Sequence, residues 1–201
     1  MIPIRPKLLV VDDDLSVRDS LAQILLSEGY FVRTAFDGFS ALGEIRSQLP
    51  DVLLSDLTMP GMSGFELLSV VRRLFPTIHV IAMSGLFSGE GIPFGIAADG
   101  YHEKATSVSH LLRLVEASQR EDRASSLSGR NVADPIWVPK NGHDPSGLEF
   151  ITITCPDCLR TFPETLFGSE NYIRNAKCTH CSNLVRYAVV PPAGATHSVS
   201  F

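Results

Sequence analysis

Aspartates cluster at two points in the first third of the chain, where their carboxylates could bind a cation or act as nucleophiles. Residues 12–14 are three aspartates that directly follow the apolar segment 8–11, and Asp56 follows the apolar segment 52–54. Carboxylates crowded into one cleft repel each other, so protonation or a bound cation must relieve the repulsion. Mg²⁺ suits such a group because it prefers oxygen ligands and keeps several waters. An aspartate beside it can attack a phosphoryl donor and form an acyl phosphate.

A hydroxyl and an ammonium group follow two later apolar segments. Ser84 comes directly after residues 79–83, and Lys104 comes two residues after the short segment 101–102. A lysine ammonium and a metal ion would neutralise phosphoryl oxygens, and a serine hydroxyl could donate a hydrogen bond to one of them. Together with the aspartates, these are the groups that a phosphoaspartate site needs.

The second half of the chain holds two Cys-x-x-Cys pairs. Their members are Cys155, Cys158, Cys178 and Cys181. Two such turns can close a tetrahedron of thiolates around Zn²⁺, and a segment of about 43 residues needs a structural metal because its core is small. Leu159 and Ser182 stand where such turns often have glycine, which weakens the match to rubredoxin-type iron sites but leaves iron open as the alternative to Zn²⁺.

Strand-like and helix-like segments alternate through the first 120 residues. A continuous apolar run such as residues 8–11 is typical of a strand buried on both faces, and amphipathic stretches at helical spacing separate such runs. This alternation predicts an α/β fold with a parallel sheet and helices on both faces. Ligands bind at the carboxyl ends of the strands in such a sheet. The aspartates, Ser84 and Lys104 therefore converge if the first and third strands are neighbours.

The chain divides into four parts. The first domain is expected over residues 6–120. Residues 121–147 lack periodicity and are rich in serine, glycine and proline, which predicts a flexible linker; Trp137 within it is expected to pack on a neighbouring domain. The cysteine pairs define a small zinc-ribbon β module over residues 148–190, and residues 191–201 are expected to form a disordered tail.

Five motifs stand in a fixed order in the first domain. They are LLVVDDD at residues 8–14, DVLLSD at residues 51–56 and MPGMSG at residues 59–64, followed by Ser84 and Lys104. Any one of them is weak, but the five in this order are specific. Together they resemble the receiver domain of the response regulators of two-component signalling. The resemblance covers roughly the first 120 residues and implies a flavodoxin-like, doubly wound sheet of five parallel strands.

The resemblance implies roles in phosphoryl transfer for individual residues. Asp56 is expected to be the phosphoacceptor, and Lys104 is expected to pair with the phosphoryl group. Ser84 matches the hydroxyl that moves toward that group, and Tyr101 matches the aromatic residue that changes rotamer with it. The implied donor is a histidine kinase or a phosphotransfer protein.

The resemblance also implies a Mg²⁺ site. Its ligands are expected to be Asp12, Asp13, Asp56 and the backbone carbonyl of Thr58. Two positions depart from the family pattern. Ala105 follows the lysine, where the family usually has a proline, and Ser63 stands where an aspartate is common. We expect Asp14 to cap the first helix rather than bind the metal.

The composition of the 201-residue chain excludes several classes of protein. With 44% hydrophobic and 19% charged residues, the chain can form a packed core, which excludes a wholly disordered protein. The net charge of −5 disfavours a basic nucleic-acid binder. Because the sequence lacks an apolar run of about 18 residues, we expect a cytoplasmic protein without membrane insertion.

The main hypothesis is therefore a signalling protein, not an enzyme, whose cysteine module is an output or docking element for a downstream protein. One alternative is a phosphatase resembling the haloacid dehalogenases, with Asp12 as nucleophile. That class needs a later acidic pair, for which only Asp99 and Glu103 are available. A second alternative is a transcription regulator that binds DNA through the cysteine module. His180 could replace a cysteine as metal ligand, but a surface position is the expectation.

Overall fold

A parallel α/β domain is followed by a smaller β module in the computed structural model, which describes residues 5–86, 96–104, 106–119, 135–167 and 173–190. The strands of the first domain are β1 (Lys7–Val11), β2 (Phe31–Ala35), β3 (Val52–Asp56), β4 (His79–Ser84) and β5 (Gly100–Glu103). The helices are α1 (Leu15–Ser27), α2 (Gly38–Ser47), α3 (Gly64–Leu74) and α4 (Val108–Ala117).

The five strands form one sheet with the order β2-β1-β3-β4-β5, and all four pairings are parallel. Residues 8–11 of β1 and all of β3 are buried, as expected for central strands that helices cover on both faces. The predicted doubly wound, five-stranded parallel sheet is confirmed. Among the described residues, none of the helices combines the length and the apolar character needed to cross a bilayer.

Side-chain caps set the starts of two helices near the acidic residues. Asp14 caps α1, because its side chain accepts the N–H groups of Ser16 and Val17. Ser63 caps α3, and its Oγ accepts the N–H of Glu66 at 3.3 Å. The predicted cap at Asp14 is confirmed. Ser63, one of the two departures from the family pattern, has a local role as the N-terminal cap of α3.

The β module consists of two three-stranded sheets. Its strands are β6 (Ile136–Val138), β7 (Gly142–His143), β8 (Glu149–Thr154), β9 (Thr161–Thr165), β10 (Ile173–Lys177) and β11 (Leu184–Val189). One sheet has the order β7-β8-β9 with antiparallel pairings. The other has the order β10-β11-β6, in which β10 and β11 are antiparallel while β11 and β6 are parallel.

The module begins earlier than the sequence predicts. Strands β6 and β7 lie in the segment 121–147, so the prediction of a flexible linker is wrong for this part; residues 120–134 and the tail 191–201 lie outside the described residues. Ile136 and Val138 are buried in the apolar cluster, and β6 pairs with the C-terminal half of β11. A strand with two buried side chains gives too short a pattern to stand out among prolines and glycines.

Helix α3 lies between the sheet and the β module. Residues 64–71 are all buried, whereas a helix on the surface of a domain normally turns one side to water. The backbone N–H of Trp137 donates to Ser69 Oγ at 3.1 Å, and that of Thr154 donates to Glu66 Oε1. Apolar side chains of the domain and the module form one buried cluster, against which Trp137 packs as predicted.

Candidate functional site

The carboxyl ends of β1 and β3 bring three carboxylates together. The two strands are neighbours with Val11 opposite Ser55, so the residues that follow leave the sheet side by side. One carboxylate oxygen each of Asp12, Asp13 and Asp56 lies within 4.8 Å of the other two. Asp12 and Asp56 are buried and Asp13 is exposed. This set of oxygen donors fits a Mg²⁺ ion that keeps several of its waters.

Lys104 reaches the same cleft from the end of β5. Its Nζ lies 2.8 Å from Asp12 Oδ2 and 3.0 Å from Asp56 Oδ2. Its backbone N–H donates to the carbonyl of Ser84 at 2.9 Å, which places the residue beside β4. Ala105 lies outside the described residues, but the lysine before it points its ammonium group at the acidic cluster.

Burial and charge act in opposite directions on the titratable groups of this cleft. Burial raises the pKa of Asp56, and the charge of Asp12 adds to this, whereas Lys104 and the N–H of Thr58 lower it. Burial alone would lower the pKa of Lys104, but the hydrogen bond to Asp12 and the charge of Asp56 outweigh it and raise the pKa. A cation beside Asp56 would favour the carboxylate form, which is the form that attacks a phosphoryl group.

Ser84 and Tyr101 contact each other next to the cleft. Ser84 ends β4 and is fully buried, and its Oγ accepts the N–H of Leu86 at 3.0 Å. Burial raises the pKa of Tyr101, a hydrogen bond with Ser84 lowers it, and the negative charge of Asp56 adds to the rise. The two residues named as switch candidates are therefore in contact, and their movement on phosphorylation stays a prediction.

Asp14 and Thr58 orient the two buried aspartates through their backbone N–H groups. The N–H of Asp14 donates to Asp12 Oδ1 at 3.0 Å, and that of Thr58 donates to the Asp56 carboxylate. Hydrogen bonds from the side chain and the backbone of Ser16 lower the pKa of Asp14, which agrees with a capping role for its side chain. Binding of the metal by the Thr58 carbonyl remains a prediction.

Asp99, one of the two acidic residues available to a dehalogenase-like phosphatase, lies at the opposite end of the sheet from Asp12. Asp99 Oδ2 accepts the N–H of Val80 at 2.8 Å, and Asp99 Oδ1 lies 2.8 Å from Arg72 Nη2. These contacts place Asp99 at the N-terminal end of β4, whereas Asp12 follows the C-terminal end of β1. Because the strands are parallel, the two ends belong to opposite edges of the sheet. Asp99 therefore cannot assist Asp12.

The four cysteines converge in the β module, from a turn between β8 and β9 and a turn between β10 and β11. Cys155 Sγ lies 3.6 Å from Cys181 Sγ, and Cys158 Sγ lies 3.7 Å from Cys178 Sγ. All four sulfurs lie within 4.8 Å of one another, and none forms a disulfide. A tetrahedron with metal–sulfur bonds of about 2.3 Å has edges of about 3.8 Å. The sulfur atoms therefore fit one zinc-sized ion.

The two cysteine turns share one backbone geometry. The N–H of Leu159 donates to the carbonyl of Cys155 at 2.8 Å, and that of Ser182 donates to the carbonyl of Cys178 at 2.9 Å. Leu159 has a φ of +56° and Ser182 a φ of +65°, a region that favours glycine. Holding another residue there costs about 1–3 kcal/mol, so the surrounding structure must impose this turn.

Backbone N–H groups favour a thiolate in the second turn. Burial opposes ionisation of Cys178, but the N–H groups of Cys181 and His180, together with hydrogen bonds to the Cys181 and Cys158 thiols, lower its pKa to about 6. Burial raises the pKa of Cys155. The thiolate is the form that binds metals. His180 Nε2 lies 2.9 Å from the carbonyl oxygen of Thr161, so this ring contacts the backbone rather than replacing a cysteine.

Glu66 is a buried acidic residue that no pattern in the sequence singled out. It is only 2% exposed, and burial raises its pKa to about 7 although the N–H of Thr154 opposes the shift. Thr154 directly precedes Cys155, so a single hydrogen bond joins α3 to the edge of the cysteine site. The sequence offers one sign of this buried position, a single carboxylate among the apolar residues 65–68. A helix that exposes its glutamate to water has the same pattern, so the sequence alone does not predict the burial of Glu66.

The raised pKa of Glu66 predicts a pH-dependent stability that Glu66→Gln removes. The folded chain holds the proton of the Glu66 carboxyl group more tightly than the unfolded chain, in which the pKa of Glu66 is near 4.5. The contribution of protonated Glu66 to the free energy of unfolding is therefore fully present below pH 4.5 and is lost as the pH rises through 7. Between pH 6 and pH 8 the unmodified chain is expected to lose about 1.4 kcal/mol relative to the glutamine variant. Urea unfolding at several pH values measures this difference, and parallel pH profiles of the two proteins would contradict it.

The model of the family described as "Response regulator receiver domain" matches residues 8–115 of this chain. The match includes the carboxylate cleft and ends before the β module. Among solved structures, the chemotaxis response regulator CheY4 of Vibrio cholerae has a TM-score of 0.53 and 30% identity, covering 57% of this chain and 98% of CheY4. A CheY-like response regulator receiver domain protein from Methanospirillum hungatei has a TM-score of 0.52 and 30% identity, covering 59% of this chain and 99% of that chain.

Curated proteins similar to this chain include the response regulator MprA of several mycobacteria. MprA of Mycobacterium tuberculosis H37Rv is 35% identical over 130 residues, which are 62% of this chain and 56% of MprA. MprA of Mycobacterium ulcerans is 34% identical over 155 residues, which are 74% of this chain and 67% of MprA. The chain thus spans 56% of the length of the first of these relatives.

Proposed function

Because this chain belongs to the response regulator receiver family through residues 8–115, we propose that it is a two-component signalling protein phosphorylated on Asp56. The family implies a histidine kinase or a phosphotransfer protein as the donor. In this proposal the product is a modified aspartate on the protein itself, so the chain acts as a signalling protein rather than as an enzyme that releases a product.

The transfer begins with attack of an Asp56 carboxylate oxygen on the phosphorus of a phosphohistidine. The new P–O bond forms as the P–N bond breaks, and the electron pair of the broken bond stays on the imidazole, which takes a proton from water. Lys104 supplies positive charge to the phosphoryl oxygens, and the Ser84 hydroxyl donates a hydrogen bond to one of them. Asp12, Asp13 and Asp56 would hold Mg²⁺, which when bound neutralises part of the phosphoryl charge.

The position of the Lys104 ammonium carries this proposal. It bridges Asp12 and Asp56 at 2.8 and 3.0 Å, inside a cleft where a third carboxylate lies within 4.8 Å. An aspartate that merely begins a turn needs neither a buried second carboxylate nor a lysine shared with it. A site that receives a phosphoryl group needs the second carboxylate to hold a metal ion, and it needs the lysine as well. The metal ion and the lysine together balance the charge that the phosphoryl group adds.

We further propose that the four-cysteine site holds a structural Zn²⁺ and that the β module is the output or docking element. The sulfur separations of 3.6 and 3.7 Å support a tetrahedral ion. Residues 148–190 contain as many acidic as basic side chains, so attraction to phosphate backbones is weak. This balance favours a protein as the downstream partner over DNA or RNA.

Phosphorylation by a small donor tests the proposed function. The full chain, incubated with acetyl phosphate and Mg²⁺, is expected to gain one phosphoryl group, which the mass of the intact protein reports. Asp56→Asn is expected to gain none, because the amide lacks the nucleophilic carboxylate oxygen. Asp19→Asn is the matched control, since Asp19 is an exposed residue of α1, and it is expected to label fully. Equal labelling of Asp56→Asn and the unmodified chain would show that the acceptor lies elsewhere.

A further inference from the structure

Helix α3 contacts both candidate sites. At its N-terminus the N–H of Gly64 donates to the carbonyl of Leu57 at 3.0 Å. A Cβ on Gly64 would lie 1.8 Å from the carbonyl oxygen of Asp56, so the helix starts directly against the backbone of the phosphoacceptor candidate. Two residues later, Glu66 accepts the N–H of Thr154, the residue before the first cysteine. A single helical turn therefore joins the two sites.

Two polar side chains of α3 hold the β module in one position. Glu66 and Ser69 are three residues apart, which puts them on the same side of the helix. Ser69 Oγ donates to the carbonyl of Phe65 at 2.8 Å and accepts the N–H of Trp137 at 3.1 Å. Trp137 lies in β6, an edge strand of its sheet. A buried polar group that loses its partner costs about 1–3 kcal/mol, so these contacts favour one defined placement of the module.

We propose that occupancy of the four-cysteine metal site and occupancy of the Asp56 phosphoryl site are positively coupled through α3, with the hydrogen bond from Thr154 to Glu66 as the contact that carries the coupling. This inference rests on the function proposed above. A bound metal holds the turn that begins at Cys155 and thereby keeps the Thr154 N–H at Glu66. Glu66 in turn holds the first turn of α3 against the backbone of Asp56.

The metal-loaded chain therefore presents an ordered phosphoryl site, whereas the metal-free chain must order α3 when the phosphoryl group binds. Coupling of binding equilibria is reciprocal, so the phosphoryl group raises the affinity for the metal by the same factor. Such couplings typically amount to about 5- to 150-fold. Glu66 acts in this scheme as a positioning residue.

Zinc affinity with and without a phosphoryl mimic tests the coupling. The affinity of the full chain for Zn²⁺ is measured by competition with a chromophoric chelator, with Mg²⁺ present throughout and beryllium fluoride added to half of the samples. Beryllium fluoride is expected to raise the zinc affinity at least about fivefold. Glu66→Ala, which lacks the acceptor, is expected to bind both ligands with no such increase. Glu66→Gln keeps a carbonyl acceptor and is expected to retain the increase.

Each alternative result has a distinct meaning. If both ligands bind the unmodified chain and neither changes the affinity for the other, the coupling is overturned and the proposed function stands. If Glu66→Gln loses the increase, the hydrogen bond is not its carrier and the proposal fails. If the unmodified chain binds no beryllium fluoride, the proposed phosphorylation site fails. If it binds no Zn²⁺, the proposed zinc site fails, and the coupling fails in either case. Asp56→Asn is expected to abolish the effect of beryllium fluoride, and an effect that persists there overturns the proposal.

Discussion

Substitution of Cys178 by serine is expected to unfold the β module while the five-stranded sheet of the receiver domain stays folded. Structural Zn²⁺ sites contribute about 10–16 kcal/mol to the folding of small domains, which is as large as the typical stability of a whole domain, about 5–15 kcal/mol. The turns at Leu159 and Ser182 also have positive φ values that the surrounding structure must impose. Trp137, the single tryptophan, reports the loss, because its fluorescence is expected to shift to longer wavelength when β6 leaves α3.

Hydrogen exchange of the same variant distinguishes unfolding of the β module from unfolding of the receiver domain. Amides of β8 to β11 are expected to exchange fast in Cys178→Ser, while those of β1, β3 and β4 stay protected. Lys177→Ser is the matched control, because Lys177 is the exposed neighbour of Cys178, and its effect is expected to stay within about 0.5 kcal/mol. A zinc chelator added to the unmodified chain is expected to reproduce the effect of Cys178→Ser. Retention of slow exchange in the serine variant would show that the module folds without its metal.

The sheet and the carboxylate cleft could be predicted from the sequence because their signals are local. The apolar run at residues 8–11, which predicts a buried strand, forms the buried part of β1, and the triple aspartate directly follows it. Once the strands are parallel, their carboxyl ends share one edge. The meeting of Asp12 with Asp56 then follows from the neighbouring places of β1 and β3 in the sheet.

The docking of the β module on α3 could not be predicted in this way. Glu66 and Ser69 are the polar residues that an amphipathic helix would turn to water, and their sequence spacing is the same whether water or another domain covers them. Trp137 gave a partial signal, because an aromatic side chain among linker residues suggests packing on a domain. Its hydrogen bond to Ser69 joins residues 68 positions apart, and no local pattern records such a contact.

Substitution of Gly64 by alanine is expected to destabilise the receiver domain by about 3 kcal/mol or more, a cost at the upper end for overpacking of a core. The added Cβ would lie 1.8 Å from the carbonyl oxygen of Asp56 and 2.6 Å from the Cα of Leu57. Both atoms belong to the backbone, so no side chain can rotate away, and α3 must separate from the loop that follows β3. Urea unfolding monitored by far-UV circular dichroism measures the change in the free energy of unfolding.

Gly43→Ala is the matched control, because Gly43 lies within α2 and a Cβ there would meet no atom within 4 Å. Alanine favours a helix over glycine by about 1 kcal/mol, so this variant is expected to be as stable as the unmodified chain or more stable. Gly64→Ala is also expected to slow phosphorylation, since the backbone that must move carries Asp56. If Gly64→Ala and Gly43→Ala have equal stabilities, α3 does not start against the Asp56 carbonyl. The short path from Asp56 through α3 to the cysteine turn would then lose its first step.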